Sequence, residues 1–392
     1  MLAHGRPYLA IPGPSVTPDR VLRAMHRASP DIYEGELLDL TESLIPSLRA
    51  VARTDHHVAI YIGNGHAAWE AALSNILSRG DRVLVPSTGN FGRGWAAVAQ
   101  GLHAEVETID TDPGAPIDPA RVEQALRADK DHRIRAVLAV HVDTATSARS
   151  DIAAIRAALD ATGHPALLVA DCVASLGCDR FEMDALGVDV MLAASQKGLM
   201  CPPGMCFVWF NDRAAEARTR ADCVTPYWDW TTRANPDSFW LYWYGTAPVQ
   251  GLYGLREALD MIEEEGLDNV WARHETLARA VWTACEAWGQ GGPLRLSVGN
   301  PAHRSHAVTA LGLGPGQADA LRSWTKQNAG VTLGVGLGRE PADAFFRIGH
   351  MGHVNAHMVL GVLGTIEAGL AALGIPHGKG ALEAAAKVVA SA

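Results

Sequence analysis

From about residue 57 to residue 210, short runs rich in Val, Ile, Leu and Ala alternate with longer stretches of helical spacing. A continuous apolar run has no polar face to turn to solvent, so a strand made from it must be covered on both sides. Runs at 57–62, 82–86, 104–109, 136–142, 166–170, 189–194 and 205–210 are the seven candidate strands. The stretches 66–78, 118–128 and 151–161 read as helices, the last two opening on Asp118-Pro119 and Asp151-Ile152. This order predicts an α/β fold whose large unit is a mainly parallel seven-stranded sheet wrapped by helices.

After residue 226 the texture changes. The stretch 226–246 holds Trp228, Trp230, Trp240 and Trp243, four of the chain's 11 Trp. Large aromatics of this kind are more often core or subunit interface than ligand platform. Residues 248–288 read as long helix, and a smaller α/β unit follows from about 290. The expected division is an N-terminal arm over 1–18, a large unit over 19–262 and a small C-terminal unit over 263–392.

Composition narrows the function. The 33 Lys+Arg against 43 Asp+Glu give a net charge of -10, whereas nucleic acid requires a basic face. The six Cys form no CxxC pair and no disulfide scaffold. Pro7, Pro12 and Pro14 break up the start, so no signal peptide is expected. The most apolar stretch, 358–375, carries Glu367 and spaces its large residues helically, as a core-facing helix does. A soluble cytoplasmic protein with small-molecule substrates, no nucleic acid and no membrane is the expectation.

The chain has only five lysines, Lys130, Lys197, Lys326, Lys379 and Lys387, so Lys197 stands alone between 131 and 325. It follows the strand 189–194 in Ser195-Gln196-Lys197-Gly198, while Asp171 ends the strand 166–170. Both therefore sit at the C-terminal edge of the sheet, where open α/β folds bind ligands. A lysine in apolar surroundings has a lowered pKa, which favours the neutral amine that Schiff-base chemistry needs. Gly63-Asn64-Gly65-His66-Ala67-Ala68 lies between a strand and a helix, where backbone N–H groups meet an anion. It also fits the dinucleotide pattern G-x-G-x-x-A, and an ordinary tight turn explains it equally well. Arg347, set among Phe345, Phe346 and Ile348, needs an anionic partner: a substrate carboxylate or a structural ion pair. Together these residues predict a pyridoxal phosphate site. Lys197 would bond the aldehyde, Asp171 the ring nitrogen and the helix after Gly65 the phosphate; Arg347 would hold an amino acid's α-carboxylate.

The segments IPGPS (11–15), GNGHAAWEAALSNILSRGD (63–81), DCVASLG (171–177), SQKGLMCPPG (195–204), LYGLREALDMIEEEGLDNVWARH (252–274) and FRIGHMGHVN (346–355) resemble class V aminotransferases of the alanine–glyoxylate and serine–glyoxylate group. The similarity covers nearly the whole chain. It implies a fold-type I, aspartate-aminotransferase-like enzyme, a homodimer with its active site at the subunit interface. By position, Asn64, Gly65 and His66 match the phosphate loop, and Phe91 the aromatic stacked on the cofactor ring. Thr144, Val173 and Gln196 match further cofactor contacts, and Gly13 a segment closing over the substrate. Thr246 matches a phosphate contact from the partner subunit, with either Trp243 or Tyr244 as its aromatic neighbour. The implied reaction is ping-pong transfer of an amino group from serine or alanine to glyoxylate. Alternatives are aspartate–glyoxylate or amino acid–pyruvate transfer on the same fold, and a nucleotide-dependent oxidoreductase using the 63–68 loop. Cysteine desulfurase chemistry lacks a carrier, since no Cys follows Cys285. His350, His353 and His357 have no clustered carboxylate or Cys, so no metal is expected.

Overall fold

In the computed structural model, which describes residues 2–392, fourteen strands form three sheets. In chain order they are β1 (Tyr8–Ala10), β2 (His57–Gly63), β3 (Arg82–Ser87), β4 (Glu105–Asp110), β5 (Ile134–Val140), β6 (Val142–Asp143) and β7 (Ala148–Arg149). Then come β8 (Leu167–Asp171), β9 (Val190–Ala194), β10 (Gly204–Phe210), β11 (Arg295–Leu296), β12 (Val308–Gly312), β13 (Val331–Val335) and β14 (Phe345–Gly349). The seven apolar runs build one sheet of order β2-β10-β9-β8-β5-β3-β4. It is parallel except for β10, which runs antiparallel to both β2 and β9.

Alternate residues of each strand enter opposite cores. Val58, Ile60, Leu168, Ala170, Met191 and Ala193 face one layer, built from the helices Glu36–Ala52, Ile152–Thr162 and Val249–Glu265. Ala59, Tyr61, Val169, Val190, Leu192 and Ala194 face the other, with Trp69 of the helix Gly65–Ile76 and Trp95 of the helix Asn90–Gly101. The strands inside the sheet are covered on both faces, as their apolar runs require, while the edge strand β4 leaves Glu105, Glu107 and Thr108 exposed. Asp118 and Asp151 cap their helices by accepting from Ala120 N and Ala154 N.

Two features depart from the sequence reading. The long helix over 248–288 is two helices, Val249–Glu265 and Leu267–Gly289, broken at Gly266 with φ 83°. Only glycine takes that conformation without strain. The second sheet, of order β1-β13-β14-β12-β11, recruits β1 from the N-terminus, parallel to β13. Three residues carry too little pattern to read as a strand, so the pairing could not be foreseen. The helix Ala356–Ala372 covers this sheet with Val359, Val362, Leu363, Ile366 and Leu370. No helix among the described residues is long and apolar enough to cross a membrane.

The Trp-rich stretch is fastened by Arg233, which is 1% exposed and has no carboxylate partner among the described residues. Its guanidinium lies between the rings of Tyr61 and Tyr227, 4.5 and 4.6 Å from their centroids. It donates to the carbonyls of Tyr227, Ile60, Tyr242 and Trp243. Trp230 and Trp243 are buried, while Trp240 is 52% exposed. Replacing Arg233 by Met would leave those carbonyls without donors. At about 1–3 kcal/mol for a buried orphan group, the expected loss is at least about 3 kcal/mol, read from the urea midpoint.

Candidate active site

Strands β9, β8 and β5 are neighbours, so the residues leaving their C-terminal ends meet at one edge. Asp171 ends β8, Lys197 lies three residues beyond β9, and Val142 and Thr144 follow β5. They enclose a cavity of about 200 Å³ together with Gly13, Gly65, His66, Trp69, Phe91, Val173 and Gln196. The fold brings these groups together from six separate stretches of chain.

Asp171 is 4% exposed, and burial raises its carboxyl to about 6. Two donors oppose that effect: Val173 N–H at 2.8 Å on Oδ1 and the Trp69 indole N–H at 2.7 Å on Oδ2. Lys197 is held at about 8, first by loss of solvent and then by the nearby Arg347 charge. Its ammonium donates to the carbonyl of Pro12. The segment after β1 thus lies over the lysine, and Ser15 reinforces it, donating from N to Gln196 O (2.9 Å) and from Oγ to Lys197 O (2.7 Å). Gly13 is required there. With φ 101°, its absent Cβ would sit 2.6 Å from Lys197 Cδ and closer still to Nζ.

Arg347 lies mid-strand in β14, paired in register with Ala310 of β12 and Gly334 of β13. It is 7% exposed, and burial lowers it to about 10. Nε donates to Val335 O (2.7 Å) and Nη1 to Thr144 O (3.0 Å). Among the described residues no carboxylate forms a salt bridge with it, so the structural ion pair considered from the sequence is not what holds it.

At the glycine loop, Asn64 Oδ1 accepts from His66 N (3.1 Å) and Ala67 N (3.4 Å), a regular N-cap. An anion at this helix end therefore competes with Asn64 for its amides. Gly65 packs on Val173, and Gln196 Oε1 is buried without a partner. Tyr244 and Thr246 stand outside the cavity of their own chain. Thr246 is exposed, and Tyr244, half-buried with φ 49°, packs at 5.5 Å from Trp240. Trp243 is 1% exposed, within the core of the large sheet. His350 is likewise buried; Nε2 meets Thr309 Oγ1 at 2.9 Å and Nδ1 meets His306 O.

Besides the wall residue Val142, two hydrogen-bonding residues of the site escaped the sequence reading. Asp143, fully buried, accepts from Phe91 N (3.0 Å) and Ala145 N (2.9 Å), fixing the aromatic wall to the loop that carries Thr144. Trp69 reaches Asp171 and lines the cavity. Its signal was present in the sequence: it lies four residues after Gly65, on the same helix face.

A family model described as aminotransferase class-V matches residues 8–342. The chain is similar to the serine–glyoxylate aminotransferase of Methylorubrum extorquens, 39% identical over 97% of this chain and 95% of that protein. It is also similar to the L-aspartate–glyoxylate aminotransferase of Paracoccus denitrificans, 37% identical over 96% of this chain and 94% of that protein. Among solved structures, ureidoglycine–glyoxylate aminotransferase from Bacillus subtilis matches with a TM-score of 0.89 at 26% identity, covering 99% of each chain.

In the ligand-free protein, modification of Lys197 by a small amine reagent, followed by peptide mass spectrometry, should rise with a midpoint near pH 8. The amine is neutral above that pH and protonated below it. Gly13→Ala, by pushing the ammonium out of its enclosure, should move the midpoint upward. A native midpoint above pH 10 would contradict the enclosure.

Proposed function

This chain belongs to the class-V aminotransferase family, and we propose that within it the protein moves the amino group of a small amino acid, serine or alanine, to glyoxylate. It is a transaminase, and its cofactor is pyridoxal 5'-phosphate. The observation that carries the substrate reading is Arg347, a buried guanidinium beside the enclosed Lys197 with no carboxylate partner among the described residues.

The cavity's own atoms suit the cofactor. Asp171 is a buried carboxylate that a ring N–H would relieve, Gln196 Oε1 lacks a partner, and Gly13 leaves the space around Nζ open. Lys197, Asp171, Phe91, Thr144, Val173, Gln196 and the amides at Asn64, Gly65 and His66 would hold it. When bound, the cofactor supplies an electron-withdrawing ring that makes the substrate's α-hydrogen acidic. Arg347 presents its N–H groups to the substrate carboxylate and fixes the α-carbon. Lys197 Nζ, neutral above about pH 8, takes the α-proton and releases it again as the amino group changes hands. Gly13 and its neighbours cover the lysine and keep water from it.

The acceptor named for both curated relatives, glyoxylate, supports the same acceptor here. We read the active unit as a homodimer in which Thr246 and Tyr244 serve the partner's cavity; the exposure of Thr246 and the position of both outside their own chain's cavity support this. Six free thiols, five of them buried, support a cytoplasmic site. The division into a large unit 19–262 and a small unit 263–392 draws support from separate apolar cores, which meet along the helix Leu267–Gly289; Tyr8 and Ala10 of the 1–18 arm pack into the small unit's core.

Serine or alanine should bleach the visible band of the native protein, and glyoxylate should restore it. Lys197→Ala should abolish turnover. Arg347→Ala should lower kcat/KM about 10–100-fold, the worth of a charged hydrogen bond, while leaving cofactor uptake intact. Asn64→Asp should keep the helix cap but weaken cofactor affinity, because its charge repels the phosphate. A protein that bleaches with no amino acid would rule out the reaction.

A further inference from the structure

Asp171 has two donors, and only one is a side chain. The amide of Val173 belongs to the turn leaving β8 and is present whatever residue stands there. The indole N–H of Trp69 is specific to this sequence and comes from the opposite wall. Trp69 is 2% exposed and rigidly seated. Its ring stacks on Trp95 at 6.0 Å and 16°, meets Phe91 edge-on at 6.2 Å, and lies 4.5 Å from His66. Trp donates one hydrogen bond and accepts none, so its only polar contact is with the carboxylate.

We propose that Trp69 is a positioning residue acting through Asp171: its indole N–H fixes the carboxylate's orientation and keeps it ionised for the cofactor's ring nitrogen. The bond opposes the effect of desolvation. A buried carboxylate protonates unless donors stabilise its charge, and a protonated Asp171 cannot pair with a protonated ring nitrogen. Trp69 supplies one of two such donors, and its bond to Oδ2 fixes the carboxylate's rotation. The arrangement joins the phosphate end of the cavity to the ring end, because Trp69 sits one helical turn after Gly65.

The inference rests on pyridoxal phosphate as the cofactor, and the test separates the two. Cofactor affinity would be measured by calorimetry on apoprotein of the native sequence, Trp69→Phe, Asp171→Ala and the double variant. Phe keeps the aromatic stack and removes only the donor. Trp69→Phe should weaken affinity about 10-fold in the native background and add almost nothing once Asp171 is gone. Its affinity should also begin to fall, as pH is lowered, from a higher pH than native, because Asp171 then protonates sooner. Equal losses in both backgrounds would make Trp69 a packing residue and overturn the proposal. A second readout needs neither cofactor nor variant folding at position 69. In apoprotein carrying 15N-tryptophan, one of the 11 indole N–H signals should titrate near pH 6 and stop doing so in Asp171→Ala. No titrating indole would overturn the Trp69–Asp171 bond. A native protein that takes up no cofactor would sink both readings at once.

Discussion

A carboxylate and an amine, Asp171 and Lys197, are withdrawn from water at the same edge of one sheet, and the rest of the molecule serves to make that tolerable. Isolated burial would neutralise each group. Asp171 keeps its charge through an amide and an indole N–H. Lys197 instead moves toward neutrality, held at about 8 by burial and by Arg347. The two groups respond oppositely to the same loss of solvent, which divides their work: one stays a fixed charge and the other becomes a base.

Holding these groups requires parts that are distant in sequence. The large sheet places Asp171 and Lys197, the small sheet supplies Arg347, and the segment after β1 lies over Lys197 through Pro12, Gly13 and Ser15. Arg347 reaches back to Thr144 O, so β14 and the loop after β5 share a hydrogen bond across the site. Asp143, next in the chain, ties the same loop to Phe91. A shift of the small sheet would therefore move the carboxylate-binding group and the cavity wall together.

Much of this was legible from residue pattern. The seven strands of the large sheet appear within a few residues of their sequence limits, because a strand buried on both faces must be apolar throughout; the edge strand β4, with Glu105 and Glu107 exposed, is the exception. Lys197, Asp171 and Arg347 stood out as charged residues in apolar settings at strand ends or within a strand. Less legible was anything decided by a partner far along the chain. β1 is three residues long and exists only because β13 lies beside it. Asp143 looked like a loop residue until its acceptor atoms met the helix at Phe91. Gly266 breaks a helix whose hydrophobic spacing continues on both sides of it.

The sequence by itself determined the α/β alternation, the strand ends that carry the chemistry and the kinds of side chain available there. Those follow from burial and hydrogen-bonding rules that act over a few residues. The tertiary structure alone decided that Trp69 donates to Asp171, that Gly13 must lack a side chain beside Lys197, and that Arg347 donates to Thr144 O with no carboxylate partner among the described residues. Each is a contact across 100 residues or more. Such contacts depend on how sheets and helices pack, which local spacing does not encode.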